Sequence, residues 1–324
     1  MRKIYCDDGS TNVKLAWNEG NELKTFISSN SFRHGWKVSD LNDNVFNYEI
    51  GTLKYTWDSV SSDAISTTNV EYQYGDLNLL SVHHALLNSG IAPQKIDLTV
   101  TLPLSEYYDH DSQKNIKNIE RKKNNLLRNF RRNNKEVFHI NSVEVMPESL
   151  PAAFSRLEEI KPTESETTLI IDLGGTTLDA GVIVGQFDDI TAIHGNSRLG
   201  VSLVTRATQA ALKNAESETS PLIADKVIKN RHDREFLKNI INNNSKIEHV
   251  IAEIENSISA LSSLVINDLA RFRNVNRIFL VGGGAYLIEG AIRQSWSLQH
   301  DRIEIIPDPQ LALAREIALY KNEG

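Results

Sequence analysis

Residues 169–179 read Leu-Ile-Ile-Asp-Leu-Gly-Gly-Thr-Thr-Leu-Asp. Leu169, Ile170 and Ile171 are a short apolar run of the kind that becomes a buried strand, and the run delivers Asp172 to the strand's end. Gly174 and Gly175 follow without side chains, so their N–H groups can come close to an anion. A carboxylate beside a phosphate cradle implies a nucleotide with a divalent metal. The same residues also spell a β-hairpin whose second strand runs from Thr176 through Val184, and the two readings are compatible. One short glycine motif is weak, because such motifs recur by chance; a second copy strengthens it.

That copy lies at the start of the chain. Residues 2–6 form a strand candidate, followed by Asp7-Asp8-Gly9-Ser10-Thr11-Asn12-Val13-Lys14-Leu15. The order repeats: strand, aspartate, small or glycine residues, hydroxyls, then a resumed strand. Two such hairpins can face each other across a cleft and hold a polyphosphate between turns rich in N–H and hydroxyl donors. Ser10 and Thr11 are placed to donate to phosphate oxygens, and Lys14 to offset phosphate charge. A third signal is Ile278-Phe279-Leu280-Val281-Gly282-Gly283-Gly284-Ala285, a buried strand, three glycines and a helix from Tyr286. Gly282, Gly283 and Gly284 let a flat ring or ribose reach the main chain, and the spacing is not the dinucleotide fingerprint. Gly200 closes a turn before a helix over 201–212, a second anion donor in principle. Glu148 stands where a strand passes into a helix, either as an acid at the helix start or as an acceptor holding a water.

The remaining chain bounds the answer. Its 324 residues suit two domains, and 40% hydrophobic with 24% charged residues is ordinary for a globular protein. A formal charge of −7 argues against a surface that grips nucleic acid throughout. Cys6 is the single cysteine, so no intrachain disulfide or thiolate metal cluster can form. With no bilayer-length apolar run and no secretory leader, a cytoplasmic protein is expected. Arg121, Lys122, Lys123, Arg128, Arg131, Arg132 and Lys135 form an acid-free basic segment, read as a solvated helix face and loop. Residues 16–75 read as a β-rich insert with core aromatics. A helix is expected over 76–88, where His83 and His84 point in different directions and cannot chelate one ion. A Ser245-to-Glu248 capping box opens a long helix with an apolar stripe at Ile247, Val250, Ile251, Ile254, Ile258, Leu261 and Val265. Residues 161–168 are the expected linker, and a last helix is expected from Asp308-Pro309.

The ordered triple of Asp7 with its hydroxyl turn, Asp172 with Gly174-Gly175-Thr176-Thr177, and Gly282-Gly283-Gly284 resembles the nucleotide site of the actin, Hsp70 and sugar kinase superfamily. The segments 8–14, Val82–Leu87, Leu102–Tyr108, Ile119–Lys123, Met146–Ser149 and Leu199–Val204 narrow the resemblance to the ParM (StbA) family of bacterial actin-like plasmid segregation proteins. The resemblance implies an α/β actin-like ATPase fold of two related lobes, each a mixed sheet flanked by helices. Domain I would comprise 1–162 plus 306–324, and domain II 163–305. It also implies an ATP- or GTP-hydrolysing protein that forms head-to-tail filaments of paired strands, pushes plasmids apart and disassembles after hydrolysis. A ParR-like DNA-bound adaptor would be the partner, with no direct DNA or membrane contact. By position, Asp7 and Asp172 would organise Mg²⁺ through water, while Ser10, Thr11, Asn12, Lys14, Gly174, Gly175, Thr176 and Thr177 hold phosphates. Glu148 would position the attacking water, and the triple glycine would lie against the nucleoside. A monomeric Hsp70-type switch and a small-molecule kinase are the alternatives; the first lacks a substrate domain after Gly324, the second a polar acceptor pocket in the sequence.

Overall fold

A computed structural model describes residues 1–38, 45–133 and 135–323. Positions 39–44 of the expected insert, Asn134 of the basic segment and Gly324 at the terminus lie outside the described residues. The chain opens with an antiparallel meander: β1 (Arg2–Asp8), β2 (Asn12–Glu19) and β3 (Glu22–Ser29). A small sheet follows, made of β4 (Phe32–His34), β5 (Asn47–Ile50) and β6 (Leu53–Trp57). Then come α1 (Asp76–Asn88), β7 (Lys95–Leu102), α2 (Leu104–Tyr107), α3 (Ile116–Leu126), β8 (His139–Pro147) and α4 (Phe154–Ile160). The second half begins with a further meander, β9 (Thr167–Leu173), β10 (Leu178–Val184) and β11 (Asp189–Asn196). Helices α5 (Ser202–Asn214), α6 (Pro221–Lys229), α7 (Arg234–Ile240) and α8 (Ile247–Asp268) come next. The chain closes with β12 (Arg277–Val281), α9 (Ala285–Ser295), β13 (Ile303–Ile305) and α10 (Ala312–Glu323).

The two halves are built alike. One five-stranded sheet has the order β3-β2-β1-β7-β8 and the other β11-β10-β9-β12-β13. In each, the first strand is central, its meander lies antiparallel on one side, and two parallel crossover strands lie on the other. Central strands buried on both faces need continuous apolar runs, which Ile170 and Ile171 and then Ile278–Val281 supply. The ends of β1, β9 and β12 therefore point toward one cleft.

Each half has its own core, and a third apolar cluster lies between them, joining Tyr5, Leu150 and Ala153 to Ile170, Phe279 and Ile317. Burying Leu150, Ile170, Phe279 and Ile317 there stabilises by roughly 1.5–3 kcal/mol for each side chain. Gly181 on β10 makes room for this seam, because a Cβ there would lie 2.3 Å from Leu150 Cδ2. Helix α10, last in sequence, packs on β1, β2 and the turn at Leu150–Ala153.

Three local expectations change. Strands β2 and β3 belong to the first main sheet, so the separate small sheet occupies only β4 to β6; Trp17 packs into the main core with Val13 and Leu15. Ser245 does not cap α8: its hydroxyl donates to Asn243 Oδ1 at 2.7 Å, and residues 244–246 form a single 3₁₀ turn first. Helix α10 starts at Ala312 rather than at Pro309, since Asp308 takes a left-handed φ of 50° and its carbonyl accepts from Leu311 and Ala312.

Candidate functional site

The paired hairpins superimpose in register as well as in order. On β1 and β2, Asp7 sits opposite Lys14; on β9 and β10, Asp172 sits opposite Asp179. Opposed residues of antiparallel strands project from the same face, so each hairpin presents an ionisable pair beside its turn. The two turns touch: Ser10 Oγ and Thr176 Oγ1 are 2.6 Å apart. Gly175 permits that approach, since a Cβ there would meet Thr11 Cγ2 at 2.4 Å and Ser10 Oγ at 3.2 Å. Behind the first turn, Asn30 Nδ2 donates to the carbonyls of Gly9 and Ser10 at 3.0 and 2.8 Å, fixing their direction.

A cavity of about 330 Å³ opens between the halves. Asp7, Ser10, Thr11, Asn12, Lys14, Glu148, Asp172, Gly174, Gly175, Thr176, Thr177, Gly282 and Gly283 all line it. Gly282 has a φ of 82° and passes so close to Asp172 that a Cβ would sit 2.2 Å from Oδ1. Around Gly283 a Cβ would meet nothing within 4 Å, so its main chain borders open space. Two expected residues stand elsewhere. Gly200 lies behind the second turn, where a Cβ would strike the Gly175 carbonyl at 2.6 Å, and the N–H groups of Val201 and Ser202 donate to the carbonyls of Gly174 and Gly175. The α5 entry thus buttresses the turn, with those donors already used. Gly284 packs against Leu173 and Val201.

Charge in the cleft is unbalanced. Lys14 Nζ reaches Asp7 Oδ2 at 3.0 Å with both side chains about one-eighth exposed. Burial pulls this ammonium down, but Asp7, Glu148 and Asp172 together outweigh it and hold Lys14 above its ordinary value. Burial pushes Asp172 up to about 8, helped by Asp7 and Asp179, and burial pushes Asp179 up to about 6. Glu148 is raised well above the carboxylate range by burial, then by Asp179, Asp7 and Asp172. Three acids, Asp7, Glu148 and Asp172, line the cavity around the Lys14 ammonium, which favours a ligand that brings positive charge. Among the described residues no three His, Cys, Asp or Glu side chains are grouped closely enough to cage a metal by themselves. Glu148 Oε1 is buried without a partner, and the Glu148 N–H is anchored to the Leu102 carbonyl at 2.8 Å.

The sequence reading leaves several residues out. Asp179 is one, although it ends the opening stretch; a hairpin centred on Gly174–Thr177 must pair it with Asp172, and that register was the available signal. Another is Asp8, fully buried and ion-paired with Lys122, which is also fully buried. Lys122 therefore leaves the solvated basic face assigned to it. Asn78 Nδ2 and the Thr101 N–H donate to Asp8 at 2.7 and 3.2 Å, while Lys122 also donates to Gln73 and Asn78. Arg121 and Arg128 pair with Glu71 and Asp76. The outer cleft is further lined by Thr205, Arg206, Gln209, Asp225 and Lys229 from α5 and α6, for which the sequence carries no motif.

Two lobes of matching topology closing on a cleft at their central strand ends define the actin-like fold, and solved structures agree. An archaeal actin homologue matches with a TM-score of 0.71 and 16% identity over 100% of both chains, and its complex with ADP matches with 0.69. A 15-stranded ParM filament from Clostridium botulinum matches at 0.72 and 15% identity over 100% of this chain and 99% of that one. The AlfA filament of a B. subtilis plasmid matches at 0.58 and 14% over 100% of both. No curated protein sequence matches. The family models for the plasmid segregation protein ParM match residues 2–159, the N-terminal model, and 163–320, the C-terminal model. The chain belongs to the ParM family of actin-like plasmid segregation proteins.

Proposed function

We propose that this chain binds ATP or GTP with Mg²⁺ between its lobes, polymerises head to tail in that state, and hydrolyses the nucleotide to release the filament. The observation that carries the reading is the meeting of the two turns at Ser10 and Thr176, which brings donors from both lobes to one point above Asp7, Lys14, Glu148 and Asp172. In this reading Ser10, Thr11, Asn12, Thr176 and Thr177, with the main chain of Gly174 and Gly175, hold the phosphates, and Lys14 offsets their charge. Asp7 and Asp172 would hold Mg²⁺ through water, as suits a cation that keeps much of its hydration. A metal held there would supply positive charge that offsets the charge of the phosphates. Glu148, with Oε1 free of protein partners, accepts a hydrogen bond from the water that attacks the terminal phosphorus. Gly282 and Gly283 lie against the nucleoside, and Gly200 and Gly284 act through packing.

Domains of 1–162 with 306–324, and of 163–305, fit this reading, because the apolar seam and α10 tie the segments either side of the crossovers. The ADP complex and filaments of fold relatives support nucleotide binding and self-association. A ParR-like adaptor bound to DNA would cap the filament end. Indirect DNA contact accords with the charge of −7, and segregation of plasmids places the work in the cytoplasm. Light scattering on the purified protein with Mg²⁺-ATP, Mg²⁺-GTP or a slowly hydrolysed analogue tests the proposal; absence of polymer at high protein concentration in all three overturns it. Glu148→Ala is expected to slow phosphate release by at least about tenfold, or 1.4 kcal/mol, with nucleotide affinity retained. Wild-type turnover in that variant removes the Glu148 assignment.

A further inference from the structure

Ser149 follows Glu148 in a conformation serine rarely adopts, with φ 71° and ψ −73°. The Leu150 N–H donates to the Glu148 carbonyl at 2.9 Å, so residues 148–150 close a three-residue γ-turn of the high-energy, positive-φ sense. Among the described residues seven non-glycine residues have a positive φ, and Ser149 alone of them is buried. Its Oγ has no hydrogen-bond partner, so the hydroxyl gives nothing back for the backbone it occupies. Strain of this kind persists only where surrounding structure fixes it. Three anchors do so here. The Glu148 N–H is held by Leu102 on β7, the Ser149 carbonyl accepts from the Ala152 N–H at 3.1 Å, and the Leu150 side chain fills the notch left by Gly181 on β10.

We propose that Ser149 is a positioning residue whose constrained γ-turn aims the Glu148 carboxyl into the cleft. The inference rests on the hydrolytic reading of the site given above. A glycine at 149 adopts the same backbone without strain but also many others, so it relaxes the aim of Glu148 and leaves the fold intact. An alanine keeps the constraint.

The experiment is single-turnover phosphate release with Mg²⁺-ATP, together with nucleotide affinity and melting temperature, for Ser149→Gly, Ser149→Ala, Glu148→Gln and the Ser149→Gly/Glu148→Gln pair. Ser149→Gly is expected to release phosphate roughly tenfold more slowly, about 1.4 kcal/mol on the barrier. Its nucleotide affinity stays within about twofold and its melting temperature is not lowered. Ser149→Ala loses several-fold less. The double variant is no slower than Glu148→Gln alone, because the turn acts through that carboxyl. Additive losses, an alanine loss equal to the glycine loss, or unchanged release in Ser149→Gly each overturn the proposal. Release abolished by Glu148→Gln yet untouched by Ser149→Gly sinks this inference alone; a wild-type protein that neither binds nor hydrolyses nucleotide sinks it together with the reading it rests on.

Discussion

Asp8 and Lys122 show how much a single residue's setting decides. Both are fully buried and ion-paired, and the surrounding amides of Asn78 and Gln73 satisfy further donors and acceptors. Such a pair adds little net stability against an apolar substitute, but removing one partner strands a buried charge. Lys122→Met is therefore expected to cost about 3–5 kcal/mol in urea unfolding, with most of it recovered in Lys122→Met/Asp8→Asn. A loss below about 1 kcal/mol would mean the pair behaves as a surface bridge. Steric fit gives a second test at this scale. Gly181→Ala pushes a methyl into Leu150, and overpacking of that kind costs about 1–3 kcal/mol; an unchanged denaturation midpoint would show that the seam yields freely.

At the scale of elements, α1 and the small sheet form a joint acid-sensitive unit. His83 and His84 on α1 are buried, and His84 lies among Phe46, Tyr48 and Trp57, with Tyr48 Oη 2.9 Å from its Nδ1. Burial pushes both imidazoles down to about 3, with Arg132 adding to the effect at His84. A histidine lowered on folding stays neutral in the native state while the unfolded chain takes up a proton below its ordinary value near 6.5. Stability is thus full above that value and falls as pH drops from about 6.5 toward 3, by up to about 1.4 kcal/mol per pH unit for each ring. Urea midpoints between pH 7 and 5 read this directly, and a flat profile contradicts it. Legibility divides along the same scale. The hairpins, the triple-glycine strand and the stripe of α8 were readable because local chemistry and periodicity fix them. What escaped depends on partners far along the chain. Lys122 looks solvated among its basic neighbours until Asp8, more than one hundred positions away, is folded against it, and β2 with β3 looks like part of an insert until β1 pairs with it. Of the candidate site, Asp7, Glu148, Asp172 and the turns were readable, but Asp179 enters only through the hairpin register and the side chains of α5 and α6 reach the cleft only through tertiary packing.

For the whole molecule, the apolar seam between the lobes outweighs the ion pairs that span them. Arg156 bonds Glu304 at 2.9 Å across the halves with both about one-quarter exposed, a setting worth roughly 0–1 kcal/mol, against several buried large side chains in the seam. Raising salt is accordingly expected to leave the lobes together, whereas Mg²⁺ with the preferred nucleotide at one hundred times its dissociation constant should stabilise the folded state by about 2.7 kcal/mol. Melting curves with ATP and GTP rank the two nucleotides, and a melting point indifferent to both contradicts occupancy of the cleft. The pairing of Asp7 with Lys14 in one hairpin and of Asp172 with Asp179 in the other has a consequence for direction. Two identical jaws would grip a chain of phosphates equally well either way round. Lys14 and Asp179 occupy the same register position, but Lys14 lines the cavity whereas Asp179 is buried and accepts from the Leu104 N–H, so the clamp is polar, with a cation in the first hairpin and none in the second. A guest carrying graded negative charge would then be favoured in one orientation over the reverse.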